Sequence, residues 1–143
     1  MRRMKAYSTK ICIHAAQARI WALLTDATQY PRWNSTVEKV DGTIQSGGKI
    51  TVHARPDPSR AFPLRVIEFV SPTRMVWSGG MPLGMFTGER TFQLDTQADG
   101  SILFSMREIY SGWMASLMIR LVPDLQPTFD QFARDLKRTA EEG

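Results

Sequence analysis

Three residues near the end of the chain, Arg90, Glu108 and Tyr110, are of types that can do polar chemistry. They fall in two stretches, Phe86–Thr96 and Ser101–Ser111, that alternate in the period-two manner of strands, with turn residues Gln97 to Gly100 between them. A hairpin closed there sets Leu94 opposite Phe104, Phe92 opposite Met106, Arg90 opposite Glu108 and Gly88 opposite Tyr110, all on one face. The other three pairs carry core-like residues, so the spacing predicts an Arg90–Glu108 ion pair on the inward face. A buried charge needs a partner, and a guanidinium can hold a carboxylate with two bonds. Two readings stay open: the pair satisfies itself, or with Tyr110 it orients a polar group on an otherwise apolar ligand. A register slip of one residue would instead turn both outward. As catalysts, Glu108 or Tyr110 would act as general acid or base and Arg90 would stabilise an enolate oxygen.

Around this pair, Trp33, Trp77, Phe86, Phe92, Met106 and Phe129 are large apolar residues suited to lining a ligand pocket, though packing in an ordinary core explains them too. Met114, Leu117, Met118 and Leu121 continue an apolar helical face, and methionine suits a wall that adapts to shape. Met81, Leu83 and Met85 lie among Gly79, Gly80, Gly84 and Gly88, as a pocket rim, a lid or a dimer contact would.

Other chemistries find little support. Gly42 to Lys49 lacks the Ser or Thr and the following helix of a phosphate loop. His14, His53 and Cys12 are too scattered for a zinc site, so no metal or cofactor is expected. Asp26 reads as a helix cap rather than a catalytic acid. No Ser-His-Asp set or nucleophile elbow is present.

The frame that must position these residues is a chain of 143 residues, the length of one ordinary domain spanning 1–143. A single cysteine, Cys12, cannot make an internal disulfide, and a cytoplasmic setting is the default expectation. The basic start at Arg2, Arg3 and Lys5 is followed by no apolar run of a signal peptide, and no membrane-spanning stretch occurs. The net charge of +4 is spread along the chain, which argues against nucleic acid as a partner.

Lys5 to His14 alternates as a first strand through Tyr7, Thr9, Ile11 and Ile13. A helix from Ala15 with Ile20, Trp21, Leu23 and Leu24 follows. Asp26 to Gln29 has the form of a capping box opening a second short helix, which Pro31 is expected to stop. Six further strands are expected at Thr36–Asp41, Lys49–Arg55, Phe62–Val70, Arg74–Gly79, Phe86–Thr96 and Ser101–Ser111, with Gly, Pro and Asp at the breaks, Pro56 and Pro58 among them. The last third, Trp113–Glu142, reads as one long interrupted helix. From Asp124, which caps it, Leu125, Phe129, Phe132 and Leu136 form one stripe, and Asp130, Gln131, Arg134, Asp135, Lys137 and Arg138 form a wet face. Pro127 is tolerable in a first turn. The order implies an α+β fold, a curved antiparallel sheet of about seven strands gripping the long C-terminal helix, with two short helices after strand one.

The segment Ile20–Val37, with Trp21, Leu24, Asp26, Tyr30, Pro31, Trp33 and Asn34, resembles the START-like helix-grip (SRPBCC) superfamily, in particular its polyketide cyclase/dehydrase and lipid-transport group. A second similar stretch runs from Arg74 through Trp77, Gly80, Gly84, Phe92 and Leu94 to Glu108 and Gly112. The resemblance implies a largely apolar cavity between sheet and helix, open at one end.

Together these readings lead to an expected function of binding or carrying a hydrophobic small molecule: a lipid, polyketide or aromatic compound. The alternatives are a cyclase, aromatase or dehydratase using Glu108, Tyr110 and Arg90, and a protein-partner or chaperone co-factor module. A homodimer is compatible with all three.

Overall fold

The computed structural model describes residues 5–55, 61–121 and 124–142. Strand β1 (Lys5–Ile13) is followed by helix α1 (Gln17–Thr25), a single 3-10 turn (Ala27–Gln29) and helix α2 (Tyr30–Trp33). Strands β2 (Val37–Gly42), β3 (Lys49–Ala54), β4 (Ala61–Val70), β5 (Arg74–Met81), β6 (Phe86–Thr96) and β7 (Ile102–Ser111) come next, then helices α3 (Ala115–Leu121) and α4 (Gln126–Glu142). The seven strands form one antiparallel sheet in the order β1-β7-β6-β5-β4-β3-β2. The meander is continuous from β2 to β7, and β1 completes the far edge beside β7. Register shifts at Val66/Glu68 on β4 and Val37/Lys39 on β2 add a residue to one strand, which bends the sheet around the helix.

Helix α4 is where the sheet's concave face finds its cover. Phe129, Phe132, Ala133, Leu136 and Ala140 are buried, and Leu125 is half-buried. Phe132 sits amid a set of rings, 5.5 Å from Trp33, 6.1 Å from Phe92 and 6.2 Å from Phe104 between centroids. Burying a Phe side chain stabilises by roughly 1.5–3 kcal/mol, so this stripe is a main source of cohesion. Polar anchors fix the helix alongside β1: Gln126 Nε2 donates to the Ser8 carbonyl, Thr9 Oγ1 to Asp130, Lys137 Nζ to the Cys12 carbonyl and the His14 amide to Glu141. Their order shows that α4 runs parallel to β1.

Asp124 does accept from the Gln126 amide at 3.0 Å, and Pro127 lies in the first turn. Four local expectations need correcting. Pro31 stands at the start of α2 and not at its end, because a first turn needs no amide hydrogen there. Asp26 accepts from the amide and hydroxyl of Thr28, one residue short of a capping box. Strand β5 continues through Gly79 and Gly80 to Met81, which pairs with Phe86 and shortens the expected loop to a tight turn. Asp135, placed on the wet face by its spacing, is buried, and its carboxylate accepts from the Ser35 amide (2.8 Å), the Ser35 hydroxyl (2.7 Å) and Gln131 (2.8 Å). The expected break at Pro56 and Pro58, the basic start at Arg2 and Arg3, and the side chain of Leu121 lie outside the described residues.

Truncating Phe132 to Ala should cost about 3–5 kcal/mol in chemical denaturation, because four neighbouring rings lose their common contact. A pH-dependent effect is expected at the C-terminal end of α4. Hydrogen bonds from the His14 amide and Lys137 hold the Glu141 carboxyl below its usual range, so its contribution is present at neutral pH and fades as pH falls through the folded-state value. Glu141→Gln should therefore lower Tm at pH 7, and the difference from the parent protein should close on acidification.

Candidate functional site

The site grows from one cross-strand row. Tyr7 on β1 stands opposite Glu108 on β7, Glu108 opposite Arg90 on β6, Arg90 opposite Trp77 on β5 and Trp77 opposite Val66 on β4. The hairpin register is the one expected from the turn at Gln97–Gly100, with Gly100 in the left-handed region. Arg90 Nη2 donates to Glu108 Oε2 at 3.4 Å, and Arg90 Nε lies 3.3 Å from Oε1 without the alignment of a hydrogen bond. Both side chains are mostly shielded, at 21% and 14% exposure. The guanidinium carbon also sits 4.8 Å from the centre of the Phe129 ring, so α4 roofs the cation with a π face.

Tyr110, one row nearer the β5–β6 turn, donates its hydroxyl to Glu108 Oε2. The position is available because Gly88 stands opposite: a Cβ on Gly88 would come within 3.2 Å of the Tyr110 ring. Burial, and then the neighbouring Glu108 charge and hydrogen bond, push the Tyr110 phenol well above its ordinary range. It is thus a proton donor locked on a carboxylate. Phe86 stacks on Tyr110 at 5.6 Å, Tyr110 meets Tyr7 edge-on at 6.1 Å, and Tyr7 meets Phe129 at 5.7 Å. An aromatic wall therefore runs from the sheet's end to the Arg90 cation.

The remaining residues singled out from the sequence divide by depth. Trp33, Trp77, Phe92, Met106 and Phe129 are fully buried, with Trp33 and Trp77 both against Tyr30 at 4.9 and 6.1 Å between ring centroids. Phe86, Met114 and Met118 are half-buried, with Phe86 and Met114 against the β5–β6 turn. The indole nitrogens of Trp33 and Trp77 are buried without a hydrogen-bond partner, a state that costs about 1–3 kcal/mol for each such group.

At that end a recess of about 380 Å³ is lined by Leu83, Gly84, Thr87, Ser111, Gly112 and Trp113. It lies between the β5–β6 turn and the β7–α3 junction, and no residue of the Arg90 row lines it. The two segments are joined through backbone, the Met114 amide donating to the Met85 carbonyl (2.7 Å) and the Trp113 amide to the Gly84 carbonyl (3.4 Å). Gly112 makes this approach possible: at its φ of 110°, a Cβ would stand 2.6 Å from the Met85 carbonyl oxygen. Leu83, at a positive φ of 62°, is 90% exposed and Trp113 is 70% exposed. The glycine and methionine content of the turn pointed to Leu83 and Gly84 as a rim. Thr87 and Ser111 carried no such signal, being polar positions on strands, and Trp113, a large apolar residue beside a strand end, reads as core. Among the described residues no group of three His, Cys, Asp or Glu side chains could hold a metal ion, and no helix is long and apolar enough to cross a membrane.

The profile of the family described as polyketide cyclase / dehydrase and lipid transport matches residues 4–141. A sequence search found no match among the curated proteins. Of the solved structures, a hypothetical protein of Helicobacter pylori superposes with a TM-score of 0.79 at 11% identity, covering 95% of this chain and 88% of the other. A norcoclaurine synthase of Thalictrum flavum, a point mutant in complex with a transition state analogue, gives 0.75 at 13% identity, covering 99% and 97%. A START superfamily protein of Mycobacterium smegmatis gives 0.70 at 13% identity, covering 96% and 97%. At these identities the likeness is one of fold.

The Tyr110–Glu108 contact makes a spectroscopic prediction. Glu108→Gln removes the neighbouring charge that helps hold the phenol up, keeps an oxygen that can accept its hydroxyl and leaves burial in place, so Tyr110 should ionise at lower pH than in the parent protein, though still above a free tyrosine. Ultraviolet titration against a Tyr110→Phe background reads this directly; an unchanged alkaline titration would place Tyr110 away from Glu108 in solution.

Proposed function

Since the chain belongs to the polyketide cyclase/dehydrase and lipid transport family, we propose that it binds and carries a hydrophobic small molecule, a lipid, polyketide or aromatic compound, between the sheet and α4. The observation that supports this most is a shielded charge pair, Arg90 with Glu108, on the sheet's concave face beside Tyr7, Trp77, Phe92 and Met106, with Phe129 of α4 over it. Such a surface offers broad apolar contact for the body of a ligand and one place to hold its polar end. On this reading the molecule enters at the recess by Leu83 and Trp113, with the half-buried Met114 and Met118 nearby as an adaptable border. The same reading treats the whole of 1–143 as one ligand-binding domain.

A second reading rests on Tyr110. A phenol kept protonated and aimed at a carboxylate beside an arginine has the parts of a cyclase or dehydratase site, with Tyr110 as general acid and Arg90 stabilising an enolate oxygen. Carriage is favoured because Glu108 already engages both neighbours and needs no reacting group to satisfy it.

Protein purified from cells, weighed intact under native conditions and then extracted under denaturing ones, should release a bound lipid or aromatic compound. Trp77→Ala, or filling the wall with Met118→Trp, should reduce the bound fraction severalfold while the fold is retained by circular dichroism. Protein that is empty from every source, and stays empty when offered cell lipid extract, would refute carriage and leave the enzyme reading.

A further inference from the structure

We propose that the end of the molecule formed by the β5–β6 turn and the β7–α3 junction docks on the surface of a lipid bilayer, with Leu83, Trp113 and Leu117 entering the headgroup layer. The inference goes beyond carriage and does not depend on it, since it stands on an outer surface and not on a cavity.

Among the described residues seven large apolar side chains are exposed, and four of them, Met81, Leu83, Trp113 and Leu117, belong to this one end. Leu83 and Trp113 line the same recess, Met81 pairs with Phe86 at the base of the turn, and Leu117 follows Trp113 by one helical turn. The sequence withholds charge from the same place. The ten residues Gly79–Gly88 and the ten residues Ile109–Met118 contain no Asp, Glu, Lys or Arg, where the 22% of the whole chain would put about four. Charge returns at the borders, with Lys5 opposite Tyr110 and Arg120 on α3 set against Glu89 on β6 and Asp124 before α4. These cancel locally, and the net +4 of the chain adds a general attraction to anionic headgroups.

Leu83 carries the inference furthest. It is 90% exposed at a φ of 62°, a left-handed conformation that strains a leucine and that Gly, Asn or Asp adopts readily. A turn that only reversed the chain would be better served by one of those three. Here a strained backbone holds an apolar side chain out in water, which makes sense when the side chain has a partner outside the molecule. A protein partner takes a fitted surface of about 20–30 residues a side. This end instead projects a few apolar groups from a turn and a helix start, a shape to which the fluid interfacial layer of a bilayer can mould itself. That layer favours Trp, whose ring is apolar and whose N–H can stay with the headgroups. The main chain is suited to it as well. Pro82 has no amide hydrogen, and the carbonyls of Pro82, Gly84, Met85 and Gly112 accept from the amides of Met85, Trp113, Met114 and Ala115.

The test mixes the intact protein with sucrose-loaded vesicles of phosphatidylcholine and phosphatidylglycerol in equal parts and sediments them. The protein should pellet with the vesicles. Leu83→Asn, which suits the left-handed φ and so keeps the turn, should weaken the partition about tenfold, as should Trp113→Ser. Fluorescence reads the contact in the unaltered protein: Trp21, Trp33 and Trp77 are buried, so vesicles carrying brominated acyl chains should quench Trp113, and the quenching should vanish in Trp113→Phe. Protein left in the supernatant, pelleting that Leu83→Asn does not change, or bromine quenching that is absent would each overturn docking. A dimer formed without lipid, with Trp113 shielded from acrylamide, would overturn it too and make this end an interface between copies. Carriage is judged apart, by extraction. A protein that yields a bound ligand yet ignores vesicles refutes docking alone, and one that pellets yet stays empty supports docking and refutes carriage alone.

Discussion

One contact underlies the architecture, the apolar stripe of α4 lying in the curve of the antiparallel sheet. Without Phe129, Phe132 and Leu136 the inner faces of β5, β6 and β7 would be open to water, and without that sheet α4 would have no partner for its stripe. The remaining features follow from making this contact fit. Register shifts on β2 and β4 curve the sheet, the anchors from Gln126 to Glu141 hold the helix parallel to β1, and the buried Asp135 ties it to the start of β2 through Ser35.

Within that apolar interface the Arg90–Glu108 pair is a deliberate exception. A charge pair in such a place is weak evidence for stability, since removing two ions from water offsets much of their attraction. Its structural effect is to polarise one spot of the wall. Arg90 is held from the side by Glu108 and from above by Phe129, which limits its rotamers and fixes where its N–H groups point. Tyr110 closes the arrangement on the outer side, with Gly88 giving its ring room.

Much of this was legible in the residues alone. Alternation and turn chemistry specify the β6–β7 register because a slip by one would invert every side chain, and the 3.6-residue stripe of α4 marks its buried face. Family resemblance added the grip. Other features depend on contacts between residues far apart in the chain, which local pattern does not carry. Asp135 is spaced like a surface residue and is buried only because Ser35, a hundred positions earlier, presents two donors to it. Trp113 has the composition of a core residue and is exposed because Gly112 turns the chain against the β5–β6 turn. The unpartnered indole nitrogens are equally invisible in one dimension, since whether a Trp finds an acceptor is decided by its neighbours in space.

The recess has a kinetic consequence under the proposed carriage. The β5–β6 turn is fastened to the β7–α3 junction by main-chain hydrogen bonds at Met85 and Gly84. If a guest enters there, a molecule larger than the recess would pass when that fastening opens as a unit, and its residence time would follow a local opening equilibrium of the backbone rather than the interior's grip alone. Two guests of unequal affinity would then leave at similar rates, the fastening setting the tempo of exchange.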